Sequence, residues 1–221
     1  LARLQDYPQL QAWLKDRRWS ALLDFCDRQP RAVTFLTALT YDQDPLVSWR
    51  AVEAVGLAAG RIAEKDPERV RGHLRRLLWS LNDESGGIGW RAPETIGEIL
   101  YNCQGKFEEF VPLVLSLLDM EAQEDAVRFR PGVLWAIGRI APLYPNVGDQ
   151  ALPRLIACLR QEDSRIIGMA LWCLYQMKNN RSLPLTSSML EDERCFQVYE
   201  CGEIHWMRIS KIVRELAPES F

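Results

Sequence analysis

Histidine is almost missing from this chain. Of 221 residues only His73 and His205 are histidines, and they lie far apart in the sequence, which excludes metal chemistry that needs several imidazoles together. Cysteine occurs six times (Cys26, Cys103, Cys158, Cys173, Cys195, Cys201) without a CxxC pair, and all but one sit among apolar residues, as buried small hydrophobes do. Reduced thiols and a cytoplasmic location are the expectation, with one exception: Cys195 and Cys201 flank a possible hairpin and are placed to face each other across it. No apolar run approaches the roughly 20 residues of a membrane span, and the early charges Asp6, Lys15, Asp16, Arg17 and Arg18 leave no signal-peptide core. Positive charge is not in excess either. With 27 Lys and Arg against 30 Asp and Glu, the net charge of −3 argues against the whole-surface attraction on which duplex-DNA binders rely, although a local basic patch is compatible with it.

What the chain does have is apolar mass and an internal repeat. Apolar residues make up 48%, too many for a disordered chain and enough for a sizeable core. Compared with itself, the sequence matches at a spacing of 41: the octet Trp49 to Gly56 (WRAVEAVG) lies over Trp90 to Gly97 (WRAPETIG), identical at five of eight positions. Gly138 stands another 41 residues on, at the end of Pro131 to Gly138 (PGVLWAIG), and a shorter step of 37 carries Trp135 to Trp172. A period near 40 fits one helical hairpin per repeat.

Within each unit the first helix carries the same apolar stripe, at steps of three and four: Val52, Val55, Ala59, Ile62; Pro93, Ile96, Leu100, Cys103; Leu134, Ile137, Ala141, Tyr144. Second helices are expected after turn signals, over 68–81, 106–118 and 149–160, with Asp66-Pro67 a good N-cap and first-turn pair. Such hairpins cannot bury their apolar faces alone and must stack on neighbours, so the predicted object is an α-solenoid. Residues 1–41 read as an N-terminal cap with a degenerate first repeat, 42–180 as core repeats and 181–221 as a C-terminal cap, all in one domain. The cap contains a β-hairpin (194–199 and 204–209 around Glu200-Cys201-Gly202-Glu203) and a final helix that Ser210 is placed to cap.

The repeat resembles HEAT repeats, in particular the short HEAT-like units of phycobilin lyases. In that family an Asp in the inter-repeat turn precedes an Arg of the next helix by six residues, and Asp44 to Arg50 has this spacing, as does Glu124 to Arg130 with Glu in place of Asp. The third unit departs from the pattern, because Asn82 to Gly89 lengthens the turn before Arg91. The resemblance covers roughly residues 30 to 180, and the run Asn82 to Glu94 is similar to uncharacterised bacterial HEAT-repeat proteins. It implies an all-α solenoid of about five helical hairpins and specifies no activity.

Three features invite a functional reading. One is the column four residues after the Trp of the WR motif: Glu53, Glu94, Trp135 and Trp172. A carboxylate beside the core is costly unless an Arg pairs it; Arg50, Arg91, Arg128 and Arg130 are available. The column is then either an Arg–Glu ladder between repeats or a polar pocket with aromatic walls. Gly56, Gly97 and Gly138 lie three residues further on and are expected to let helices approach closely.

A second feature is the Asn82–Trp90 loop. Its Asp83, Glu84, Ser85, Gly86 and Gly87 lead to Trp90 and Arg91, either as a long turn with a bend at Pro93 or as a recognition loop. Its acids and the absence of a following Lys reject a phosphate-binding nucleotide motif. Trp49 and Trp90 start helices and are expected to be partly exposed, whereas Trp13, Trp19 and Trp79 fit helix packing.

The third feature is the basic stretch around Arg69, Arg75 and Arg76. These fall off the Val70, Leu74, Leu77, Leu78, Leu81 stripe and are expected to face solvent, as a solvated face or a docking site for an anion.

No nucleophile, base and orienting group can be assembled from motifs, and no metal or cofactor is expected. The expected function is a non-enzymatic protein-binding scaffold using the solenoid groove and the 82–90 loop. The alternative is an enzyme or ligand binder on the same fold, by analogy with bilin lyases or HEAT-like DNA glycosylases. The glycosylase analogy calls for a strongly basic chain, which this is not, and a HEAT-repeat hydroxylase for His-Glu pairs, which are lacking.

Overall fold

A computed structural model describes residues 7–29, 31–81, 91–119, 124–178 and 187–216, without the side chains of 124–128 and 187. The chain divides into two compact units, Leu1–Phe110 and Val111–Phe221.

The first unit contains α1 (Tyr7–Lys15), α2 (Trp19–Arg28), α3 (Ala32–Leu39), α4 (Pro45–Ala63), α5 (Pro67–Ser80) and α6 (Ala92–Asn102). Its starts follow the sequence signals. Asp44 accepts from the backbone N–H of Leu46 and Val47 at the head of α4, Asp66 from that of Arg69 at the head of α5, and each is followed by a helix-initiating proline. The α4 helix is the hub, with α1, α2, α3, α5 and α6 all packed on it. It is buried around most of its circumference, by small residues such as Ala51, Ala54, Ala58 and Ala59 as much as by Val52 and Val55.

The second unit repeats the plan with α7 (Val111–Ser116), α8 (Glu124–Ile140), α9 (Pro145–Cys158), α10 (Ser164–Gln176), α11 (Ser187–Leu190) and α12 (Ile209–Leu216). Here α10 is the hub, buried without a break from Ile166 to Leu174, and α8, α9 and α12 pack on it. First helices lie beside first helices (α4 on α6, α8 on α10) and α7 lies beside α9. That is the layered packing of an all-α solenoid.

Glycine sets the closeness of these rows. A Cβ on Gly56 would stand 2.5 Å from Glu98 Cγ and 2.8 Å from the Glu98 carbonyl on α6, and one on Gly138 would stand 2.6 Å from the Trp172 ring and 3.1 Å from Cys173 Cα on α10. Gly97 is likewise buried, within α6.

The C-terminal hairpin forms as expected. Strand β1 (Cys195–Glu200) pairs antiparallel with β2 (Glu203–Arg208), and Cys201 and Gly202 make a two-residue turn with both φ angles positive, 55° and 84°. β1 and α12 lie on α10, covering it at the end of its row. The Phe196 ring fills the place a side chain at position 168 would need.

Three expectations are corrected. Cys195 pairs with Arg208, while Cys201 sits in the turn of the same hairpin arm, so the two thiols do not face each other; both are free and exposed, and the other four cysteines are free and buried. The stretch 106–118 is not one helix but a 3₁₀ turn (Glu108–Phe110), α7 and another 3₁₀ turn (Leu117–Asp119), because Pro112 has no N–H to bond back to residue 108. Ser210 lies within α12 rather than ahead of it, buried, its hydroxyl donating to Glu193 at 3.1 Å.

The glycine contacts give opposite expectations for one substitution. Gly138→Ala should lower stability by about 1–3 kcal/mol, because its methyl meets an indole and backbone. Gly72→Ala, whose methyl would meet only an Arg76 nitrogen at 3.9 Å, should raise it by about 0.5–1 kcal/mol through helix propensity alone. Urea unfolding of the two variants checks both signs.

Candidate functional site

The packing of α4 on α6 brings the first turns of these helices together, and the repeat motif falls at that meeting point. Arg91 stands at the N-cap of α6 and Glu94 in its first turn, where Thr95 Oγ1 donates back to the Arg91 carbonyl at 2.6 Å. From there the Arg91 side chain reaches α4. Its Nε donates to Ser48 Oγ at 2.7 Å, its guanidinium lies 4.1 Å from the Trp49 ring centroid, and Nη1 donates to Glu94 Oε1 at 3.1 Å. Ser48 uses its own proton on the Thr40 carbonyl at 2.6 Å, which leaves its oxygen free to accept from Arg91. Arg91 is thus fixed by a hydrogen bond, a ring face and an ion pair at once.

Glu94 is the unusual member. Its side chain is 6% exposed, and its second oxygen, Oε2, is buried with no hydrogen-bond partner among the described residues. Burial pushes its pKa above the usual carboxylate range, and the Arg91 charge and hydrogen bond only partly offset this. A half-satisfied buried carboxylate is a cost to the fold, and such costs concentrate where a ligand or partner completes the set.

The other candidates go elsewhere. Arg50 is buried and donates to the Leu14 and Lys15 carbonyls at 3.3 and 2.5 Å, a cation on the C-terminal end of α1. Glu53, half-buried, has Arg17 at 4.0 Å. Arg130 lies half-buried on α8. In the second unit Trp135 stacks parallel to Trp172 with centroids 6.2 Å apart, and donates from Nε1 to the Tyr199 carbonyl at 2.9 Å. Asp83, Glu84, Ser85, Gly86, Gly87, Trp90 and the Arg128 side chain lie outside the described residues. So Trp49, Arg91 and Glu94 come together, while Arg50, Glu53 and Trp135 serve other contacts.

Trp49 is buried rather than partly exposed, at 8%, because the Arg91 guanidinium covers its face. Trp79, expected in helix packing, is 71% exposed; it projects opposite the Val70, Leu74, Leu77 stripe of α5. Pro93 does not bend a turn but sits in the first turn of α6, a position that spares a hydrogen bond. Ser48 and Thr40 were not foreseen. The only signal is that Ser48 precedes Trp49 where Gly89 precedes Trp90, a difference that acquires meaning once Arg91 is seen to cross to α4.

The basic residues of α5 divide between two directions. Arg75 is exposed and acts on Glu109, whose carboxyl is held low chiefly by its hydrogen bond from Arg71. Arg69, His73 and Arg76 follow one helical stripe. His73 is buried, with Nε2 at 3.1 Å from Thr37 Oγ1 and Nδ1 at 3.4 Å from Arg76 Nη2. Burial first, then the charges of Arg76 and Arg69, push its pKa down to about 4. Among the described residues no group of three or more His, Cys, Asp or Glu is arranged to hold a metal ion.

No family model matches the chain. An uncharacterised protein of Archaeoglobus fulgidus is 28% identical over 194 residues, spanning 86% of this chain and 95% of that one. Among solved structures, an archaeal HEAT-like repeats protein from Thermococcus onnurineus is similar at 14% identity and a TM-score of 0.31, over 84% of each chain. The solenoid assignment rests on the helix rows of the chain itself.

Two substitutions read the buried charges through stability. Glu94 has a folded pKa above its unfolded one, so its ionised form opposes folding at neutral pH and relaxes as pH falls. Glu94→Gln should therefore raise stability at pH 7, with a smaller gain at acid pH. His73 has the reverse sign: its folded pKa of about 4 lies below the ordinary 6.5, so its contribution is complete above pH 6.5 and is lost as pH falls toward 4, by about 3 kcal/mol at most. In His73→Gln that acid-side loss should shrink. Urea unfolding at about pH 7 and about pH 4.5 measures both effects.

Proposed function

We propose that this chain is a non-enzymatic helical-repeat scaffold that binds a protein partner at the N-terminal turns of α4 and α6, where Trp49, Arg91 and Glu94 meet. The observation that carries the proposal is the unpartnered, buried Glu94 Oε2 beside a guanidinium already fixed on Trp49. A carboxylate oxygen short of a donor asks for an N–H, ammonium or hydroxyl from outside, and in the sequence Trp90 immediately precedes Arg91. A partner that inserts a donor there gains a charge-assisted hydrogen bond at a site already dehydrated. Reading the repeats as HEAT-like units, of the phycobilin-lyase type that the Asp44 to Arg50 spacing resembles, agrees with a scaffold role, since stacked helical hairpins offer long surfaces for other chains.

Free thiols at all six cysteines fit a reducing compartment such as the cytoplasm. No helix among the described residues is long and apolar enough to cross a membrane. The acidic net charge weighs against nucleic acid as the partner. A second reading, a small-ligand or enzyme site of the bilin-lyase or DNA-glycosylase kind, draws on the same carboxyl, which burial shifts toward the neutral acid form.

The test is capture from an extract of the native host with the wild-type chain and with a Trp90→Ala, Arg91→Ala double variant, both verified as folded by circular dichroism. A protein retained by the wild type and reduced about tenfold by the double variant supports the proposal. Equal retention by both overturns it.

A further inference from the structure

The stripe of Arg69, His73 and Arg76 on α5 runs from a half-buried Arg69 through a buried His73 to an Arg76 exposed as expected. It forms one wall of a pocket of about 100 Å³ in the first unit, with Val33 and Thr34 of α3 and Ala59 and Ile62 of α4 as the facing walls. The wall is ordered by helical geometry, since positions i, i+4 and i+7 lie above one another on one face. Both arginines project from the ends of that stripe, with the imidazole between them.

Proton accounting fixes the imidazole. Thr37 Oγ1 spends its only proton on the Val33 carbonyl at 2.8 Å, so toward His73 at 3.1 Å it can only accept. His73 therefore carries its proton on Nε2 and donates it to Thr37. Nδ1 is left with a bare lone pair, which accepts from Arg76 Nη2 at 3.4 Å. A neutral imidazole in this tautomer orients the Arg76 guanidinium at the pocket; burial is the first cause that keeps it neutral, and the charges of Arg76 and Arg69 add to it. The acids of neighbouring α2, Asp24 and Asp27, are held by Arg61 at 3.4 and 2.9 Å.

We propose that this pocket binds a single tetrahedral oxyanion, a phosphate or phosphomonoester group, held by the Arg69 and Arg76 guanidiniums and the Thr34 hydroxyl, with His73 as the positioning residue for Arg76. Size and chemistry agree on this class. Pockets for whole drug-sized ligands run to about 300 Å³ or more, so this one takes a charged group and not the body of a molecule. Two planar donor forks and a hydroxyl match the several acceptor oxygens of a phosphate better than the two of a carboxylate. This inference stands apart from the Glu94 site, which lies at the other end of the α4 and α5 hairpin, so either can fail without the other.

The test is titration of the full chain with inorganic phosphate and, separately, with glycerol phosphate, at constant ionic strength balanced with sodium chloride. Binding is read by thermal shift and by the imidazole region of the ¹H–¹⁵N spectrum. The expected result is saturable stabilisation with a dissociation constant of about 1 mM or tighter and a change at the His73 ring nitrogens, which start as the Nε2–H tautomer. Arg76→Gln, at an exposed position, should weaken binding about tenfold or more, while Arg75→Gln should leave it unchanged. Response to both compounds assigns a phosphomonoester and response to inorganic phosphate alone assigns the free anion; either supports the site. A phosphate effect no larger than that of chloride, or equal weakening by Arg75→Gln and Arg76→Gln, overturns it.

Discussion

The approach of first helix to first helix is limited by what occupies a few positions on α4, α8 and α10. Where Gly56 meets Glu98 and Gly138 meets Trp172, the space left is smaller than a methyl group needs. Close approach lets dispersion contacts form along the whole row and removes water from every residue between the helices. It also explains how α4 can be surrounded by five other helices while carrying alanine at so many of its positions. Widening that spacing would loosen the stack and separate Arg91 from Ser48 and Trp49, which it reaches only because α4 and α6 are near.

Much of this was legible because it depends on periodicity. The spacing of 41 between Trp49 and Trp90 located two first helices, and the stripes at steps of three and four gave their buried faces. The runs 194–199 and 204–209 around Glu200-Cys201-Gly202-Glu203 announced a hairpin, whereas the positive φ of Cys201 became visible only in the structure. Roles that depend on who stands opposite were not legible. Arg50 and Arg91 occupy equivalent positions in the repeat, yet one caps α1 and the other lies across Trp49. Glu53 and Glu94 are equivalent as well, and only Glu94 is left with a buried bare oxygen. His73 carried no local signal at all: its place depends on Thr37, thirty-six positions earlier in the chain.

Burial and charge are in tension at both sites in the first unit. At Glu94 a carboxylate is dehydrated with one guanidinium and an unused lone pair. At His73 an imidazole is dehydrated and kept neutral beside two guanidiniums. Neither arrangement minimises the energy of the isolated chain. Both present strong, fixed dipoles or charges that a complementary group finds ready-made, without the reorganisation a flexible surface would require.

The cysteines have a consequence of a different kind. Cys26 and Cys103 are buried in the first unit, Cys158 and Cys173 in the second, and burial raises the pKa of all four, while Cys195 and Cys201 are open to solvent. Thiolate, not thiol, is what an alkylating reagent attacks. Each half of the protein therefore holds its own pair of latent labels, silent until that half opens. Timed alkylation of the unmodified chain would report the opening free energy of each half separately.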